Sequence, residues 1–115
     1  MNPIHTIPSQ PDGNSRNFPP PPIFDISVVI PVKDERETIQ PLYERICQTL
    51  EASGEKFEIV WIDDGSTDGS FEIMRRLFEK DVRVRAYRFR VNYGKSPALA
   101  AGFKQARGKI IVTID

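Results

Sequence analysis

From Ile26 onward the chain alternates short apolar runs with longer amphipathic stretches. Ile26-Ser27-Val28-Val29-Ile30 is brief, β-branched and closed by Pro31. A run this short and this apolar predicts a strand buried on both faces, as a parallel sheet requires. A helical pattern follows, with Ile39, Leu42, Tyr43, Ile46 and Leu50 on one face. Thr38 is the expected N-cap, which would put Pro41 in the first turn, and Ser53-Gly54 the expected stop. Phe57 to Ile62 predicts a second strand that runs into Asp63-Asp64-Gly65-Ser66. A second helix carries Phe71, Met74, Leu77 and Phe78. The alternation of Val82, Val84 and Ala86 with Arg83 and Arg85 predicts a third strand, ending where the parity breaks at Tyr87. Outward arginines suit an edge strand. Ala98 to Ala106 predicts a small-residue helix able to lie close to a sheet, and Lys109 to Ile114 a fourth strand.

The order βαβαβαβ implies an α/β fold: a Rossmann-like parallel sheet with helices on both faces and right-handed crossovers. The winding direction changes after strand three, so the expected strand order is 3-2-1-4. Ligands of such sheets bind at the carboxyl ends of the strands. The polar residues cluster there: Lys33, Asp34 and Glu35 after strand one, Asp63 and Asp64 after strand two, Asn92 to Ser96 after strand three, Asp115 after strand four. Four loops converging on one sheet edge are the main evidence for a site.

The first 24 residues read differently. Seven of the ten prolines lie there, among Asn, Ser, Gln and Gly. Such a segment cannot bury enough apolar surface to offset its ordering entropy. Residues 1–24 are therefore expected to be a disordered leader, with a polyproline ligand as the other reading of Pro19 to Pro22. Residues 25–115 form the expected folded unit. Lys+Arg and Asp+Glu number 16 each, which argues against a general nucleic-acid binder. The single cysteine, Cys47, excludes an internal disulfide, and the single histidine, His5, lies in the leader. Chemistry in the folded part falls to carboxylates, hydroxyls, lysine, arginine or a metal. No stretch reaches the roughly 18 apolar residues of a membrane span, and no signal peptide is expected.

Two motifs carry candidate chemistry. Asp63-Asp64 at a strand end repel each other and are retained more easily if one meets a donor such as a ribose hydroxyl or a base N–H. The simpler reading is a turn whose Ser66, Thr67 or Asp68 caps the next helix. Gly94-Lys95-Ser96 matches the end of a phosphate loop, but Phe89 stands where that motif needs its first glycine, which excludes a nucleoside-triphosphatase. A lysine beside a helix N-terminus still favours an anion, while a solvated loop lysine is the equal alternative. No glycine follows strand one, which excludes a nicotinamide-binding domain.

With these residues in hand, the chain resembles glycosyltransferase family 2, whose catalytic domain has the GT-A fold. The hallmarks are Val29 to Glu35, Ile62 to Gly69, Asn92 to Gly102 and Ile114-Asp115, in that order and spacing. The third stretch is most similar to the polyprenyl-phosphate branch, the dolichyl-phosphate mannose synthases and undecaprenyl-phosphate sugar transferases. The resemblance implies a hexosyltransferase that uses a UDP- or GDP-hexose and a polyprenyl phosphate or related acceptor. It places Pro31, Lys33, Glu35, Ile62, Asp64 and Lys95 at the nucleotide-sugar pocket, with Asp64 at the base and Asp63 shaping the turn. Asp115 would open a D-x-D motif holding Mg2+ or Mn2+. The second acid, the catalytic base, the acceptor site and any membrane segments would follow Asp115. The 115-residue chain is accordingly expected to be inactive alone, with a non-catalytic nucleotide-binding fragment or pseudoenzyme as the alternative. The implied location is the cytoplasm, or the cytoplasmic face of a membrane. Lys33 and Asp34 stand where the family often has Tyr and Asn, which leaves the donor open.

Overall fold

The computed structural model describes residues 23–115, so the expectation for the Pro-rich leader lies almost wholly outside the described residues. Seven elements alternate: β1 (Phe24–Val32), α1 (Arg36–Ser53), β2 (Phe57–Asp63), α2 (Ser70–Lys80), β3 (Val84–Arg88), α3 (Lys95–Gln105) and β4 (Gly108–Thr113). The strands form one parallel sheet in the order β3-β2-β1-β4, as the sequence pattern predicts. Central β2 is buried along its whole length. Its alternating side chains feed two cores. Ile59 and Trp61 join Val28, Ile30, Ile39, Met74 and Leu77 beneath α1 and α2. Val60 and Ile62 join Val29, Tyr87 and Ala98 beneath α3.

Helix α3 sits close to the sheet because its contact residue is Gly102. A Cβ there would meet Val29 Cγ1 at 2.2 Å. Towards the amino ends of the strands, the same face carries a buried polar row. Glu58 accepts hydrogen bonds from Ser27 Oγ at 2.6 Å, Arg85 Nη2 at 2.7 Å and the Arg107 backbone N–H at 2.6 Å. Ser27 Oγ in turn accepts from Gly108 N at 2.7 Å, and Arg85 also donates to the Gln105 carbonyl at the end of α3. A buried carboxylate is tolerated only when paired and fully bonded. This one ties β1, β2, β3 and the α3–β4 turn together.

Three local expectations are corrected. Thr38 is not the N-cap of α1. The helix starts at Arg36, and Pro41 lies inside it. The cause is tertiary: Glu35 N donates to Ser70 Oγ and Arg36 N to Asp68 Oδ2, so the neighbouring loop satisfies the first N–H groups. Thr38 Oγ1 instead turns back to the Glu35 carbonyl. Pro41 leaves the carbonyl of Glu37 without its helical donor. Strand β3 begins at Val84 rather than Val82, which is 98% exposed, and runs on to Arg88. Tyr87 does not break the parity. It shares a face with Arg85, and α3 covers that face. Arg85 is therefore no simple outward residue on this edge strand, because it reaches inward to Glu58. Gly54 ends α1 in a left-handed conformation, as predicted.

Candidate functional site

The carboxyl ends of the strands bring three loops together: 33–35 after β1, 64–69 after β2 and 89–94 after β3. The first two interlock. Asp34 has a positive φ of 53°, a conformation that Asp tolerates better than most residues. Its backbone N–H donates to Ser66 Oγ at 2.8 Å, and its Oδ1 accepts from Thr67 N at 2.8 Å. Lys33 Nζ bonds Asp34 Oδ2 at 2.9 Å and reaches the Gly65 carbonyl at 3.3 Å. The bonds to Lys33 and Thr67 hold the Asp34 carboxyl below the usual range, and the Asp34 bond holds the Lys33 ammonium above its own. The N-cap of α2 is Gly69, and Asp68 just before it accepts from Ser70 N at 2.9 Å.

The paired acids take different partners. Asp63 Oδ1 accepts from Ser66 N at 3.0 Å and shapes the turn. Asp63 Oδ2 is buried without a hydrogen bond, with Arg88 Nε at 3.9 Å, beyond hydrogen-bond length. Burial pushes its carboxyl above the usual range, and its Ser66 contacts oppose that. Asp64 is 5% exposed. Its Oδ1 accepts from Tyr93 N at 2.7 Å and its Oδ2 from Gly94 N at 2.9 Å. The donors that let two adjacent acids coexist are thus backbone groups of this chain. Gly65, at φ +80°, completes the seat: a Cβ there would lie 2.8 Å from Asn92 N and from the Val91 carbonyl carbon. Asn92 Oδ1 accepts from Gly94 N at 3.0 Å within the loop.

Of the other residues singled out in the sequence, Pro31 is half-buried on β1 opposite Ile62, and Glu35 is exposed. Ile62 is wholly buried in the core beneath α3 and immediately precedes the acid pair. Lys95 and Asp115 meet: Nζ lies 2.6 Å from Oδ1, and both side chains are exposed. No group of three His, Cys, Asp or Glu side chains among the described residues is placed to hold a metal ion. Asp115 offers one carboxylate, and an ammonium occupies it. The described residues do not by themselves fit the Mg2+ or Mn2+ that the resemblance implies.

Sequence reasoning did not find the Asp64 contacts to Tyr93 and Gly94, since backbone donors some 30 positions away leave no local signal. It also passed over Glu58. A lone acid inside an apolar strand, with an arginine in the adjacent strand, is the pattern that could have disclosed it.

Comparison with known proteins gives the following. The model of Glycosyl transferase family 2 matches residues 27–115. An undecaprenyl-phosphate 4-deoxy-4-formamido-L-arabinose transferase of Pseudomonas syringae pv. syringae is 40% identical over 97 residues, which are 84% of this chain and 29% of the relative. The protein of that name from Salmonella paratyphi B is 39% identical over 99 residues, 85% of this chain and 30% of its own. The chain thus spans under a third of the length of these curated relatives. Among solved structures, the mannosyltransferase PcManGT of Pyrobaculum calidifontis, in complex with GDP-Man and Mn2+, superposes with a TM-score of 0.65 at 24% identity, over 83% of this chain and 28% of that one. S. aureus TarS 1–349 does so with 0.64 at 26% identity, over 79% and 27%. These likenesses agree with the parallel sheet and its strand order. No helix of the described residues is long and apolar enough to cross a membrane.

Proposed function

The chain belongs to glycosyltransferase family 2, and we propose on that premise that residues 25–115 form the donor-binding part of a sugar transferase. The donor is a nucleotide sugar, a UDP- or GDP-hexose. The acceptor is a polyprenyl phosphate or a related lipid-linked group, met at the cytoplasmic face of a membrane through parts of the protein outside this chain. The similarity to undecaprenyl-phosphate sugar transferases supports that choice of acceptor. No role in nucleic-acid binding is assigned.

One observation carries the reading: the loops after β1 and β3 both bond to the turn after β2, where the Asp64 carboxylate is held, with two lysines near it. An anionic acceptor beside ammonium groups suits a ligand with N–H donors at one end and phosphates at the other. Asp64 takes the nucleoside. Pro31, Lys33 and Glu35 line its approach, and Ile62 supports the turn from below. Lys95 faces the diphosphate. The family resemblance adds a divalent cation, Mg2+ or Mn2+, to the complete site. Asp115 is this chain's contribution to it, and the further ligands come from outside the described residues.

Calorimetry with UDP, GDP and their nucleosides tests the assignment. Losing a charged hydrogen bond costs about 1.5 to 3 kcal/mol, so Asp64→Ala should weaken nucleoside and diphosphate alike by roughly ten- to a hundredfold. Lys95→Ala should weaken the diphosphate more than the nucleoside. A chain that binds neither UDP nor GDP, or an Asp64→Ala variant that binds both as well as the parent does, would refute the reading.

A further inference from the structure

The β3–α3 loop lies across the turn that bears the acid pair, and two clasps hold it. At one end, the Tyr93 and Gly94 N–H groups occupy one oxygen each of Asp64. At the other, Lys95 Nζ occupies Asp115 Oδ1. Ahead of both, the backbone of Val91 and Asn92 presses on Gly65 so closely that no side chain would fit there. The consequence is geometric. With the loop seated, Asp64 is only 5% exposed and each carboxylate oxygen already accepts a backbone N–H, so a nucleobase would have to displace them. The loop itself is lightly anchored elsewhere. Val91 and Tyr93 are exposed, and the Tyr93 side chain is braced by an edge-on contact with Phe89 at 5.2 Å between ring centres.

We propose that the β3–α3 loop is a latch, in which the chain's own N–H groups stand in for those of the nucleobase on Asp64, so that donor binding must open it. This rests on the reading of Asp64 as the nucleoside-binding acid. The latch satisfies a nearly buried carboxylate while the site is empty, since leaving such a group unpaired would be costly. It also sets an entry cost: affinity falls by the fraction of molecules in which the loop is closed. The Asn92 side chain adds to the closed form by accepting from Gly94 N. Weakening that bond should favour the open form without touching Asp64.

Amide hydrogen exchange of the 115-residue chain, read residue by residue by NMR, tests the latch. Without ligand, the Tyr93 and Gly94 amides should exchange slowly, and Asp64→Asn should speed them by about tenfold or more, the effect of losing one charge-assisted bond. Saturating UDP or GDP should speed the same two amides in the parent chain, while shifts at Lys33 to Glu35 report that the nucleotide is bound. Asn92→Ala should speed them without ligand and tighten nucleotide binding several-fold. Nucleotide bound with Tyr93 and Gly94 still protected would overturn the latch and leave the functional reading intact. Weaker binding by Asn92→Ala would likewise overturn it. A chain that binds no nucleotide overturns both.

Discussion

Replacing Glu58 by Gln isolates the buried polar row. The change keeps the shape and removes the charge. In the parent, one carboxylate oxygen receives Arg85 and the other receives both Ser27 Oγ and the Arg107 N–H. An amide has one oxygen and one NH2, so neither orientation serves all three. With the oxygen towards Ser27, the NH2 faces the Arg85 guanidinium. With the NH2 towards Ser27, the Arg107 N–H meets a donor. Hydrogen bonds to charged groups contribute about 1.5 to 3 kcal/mol, so the expected loss is roughly 2 to 3 kcal/mol. Truncation to Ala strands Arg85 as well, and should cost nearer 3 to 5 kcal/mol, the range for breaking a buried pair. Urea unfolding reads this directly. With a slope of roughly 1 kcal/mol per molar, Glu58→Gln should lower the midpoint by about 2 to 3 M. Arg85→Leu combined with Glu58→Gln should cost less than the two changes summed. A Gln variant within about 0.5 kcal/mol of the parent would refute the reasoning, because that is the range of an uninvolved surface site.

Asp81 gives a pH-dependent counterpart. Burial opposes its ionisation, but bonds from Arg83 and Tyr43 outweigh that and depress its pKa to about 2. Its contribution, about 2 kcal/mol, is complete above the unfolded carboxyl pKa and is lost as pH falls through 2. Asp81→Asn should flatten the acid limb of the stability profile between about pH 4 and 2, and an unchanged limb would place the dependence elsewhere. Gly102→Ala should destabilise despite the better helix propensity of Ala. The added Cβ would sit 2.2 Å from Val29 Cγ1, and overpacking of about 1 to 3 kcal/mol exceeds a propensity gain of about 1. A higher melting temperature would mean that α3 can ride further from the sheet.

The legible parts of this fold are those written in local periodicity. The buried run of β1, the amphipathic face of α1 and the small residues of α3 each announce their element, and their order dictates the sheet. The converging loops could also be placed, since the topology alone sends them to one edge. What escaped were bonds between distant segments. Thr38 has the residue type and position of an N-cap, yet α1 starts earlier because Ser70, which opens α2, and Asp68 before it take the N–H groups of Glu35 and Arg36. Tyr87 reads as broken alternation until α3 is known to lie over its face. Asp64 reads as an acid awaiting a ligand, and its near neighbours in sequence give no hint that Tyr93 and Gly94 already serve it. Local sequence encodes what each segment prefers, and long-range hydrogen bonds decide where those preferences are overruled.

The position of β4 bears on the order in which the molecule assembles. It pairs with β1 alone, and five of its six residues are exposed. Its bond from Gly108 to Ser27 closes a span of 81 positions, whereas Ser27 and Glu58, which join β1 to β2, are 31 apart. Closing the longer loop costs roughly 1 kcal/mol more, and little buried surface repays it. Pairing β4 with β1 is therefore costlier in chain entropy than pairing β1 with β2. Asp115 follows β4, so the Lys95–Asp115 pair depends on that strand being in place.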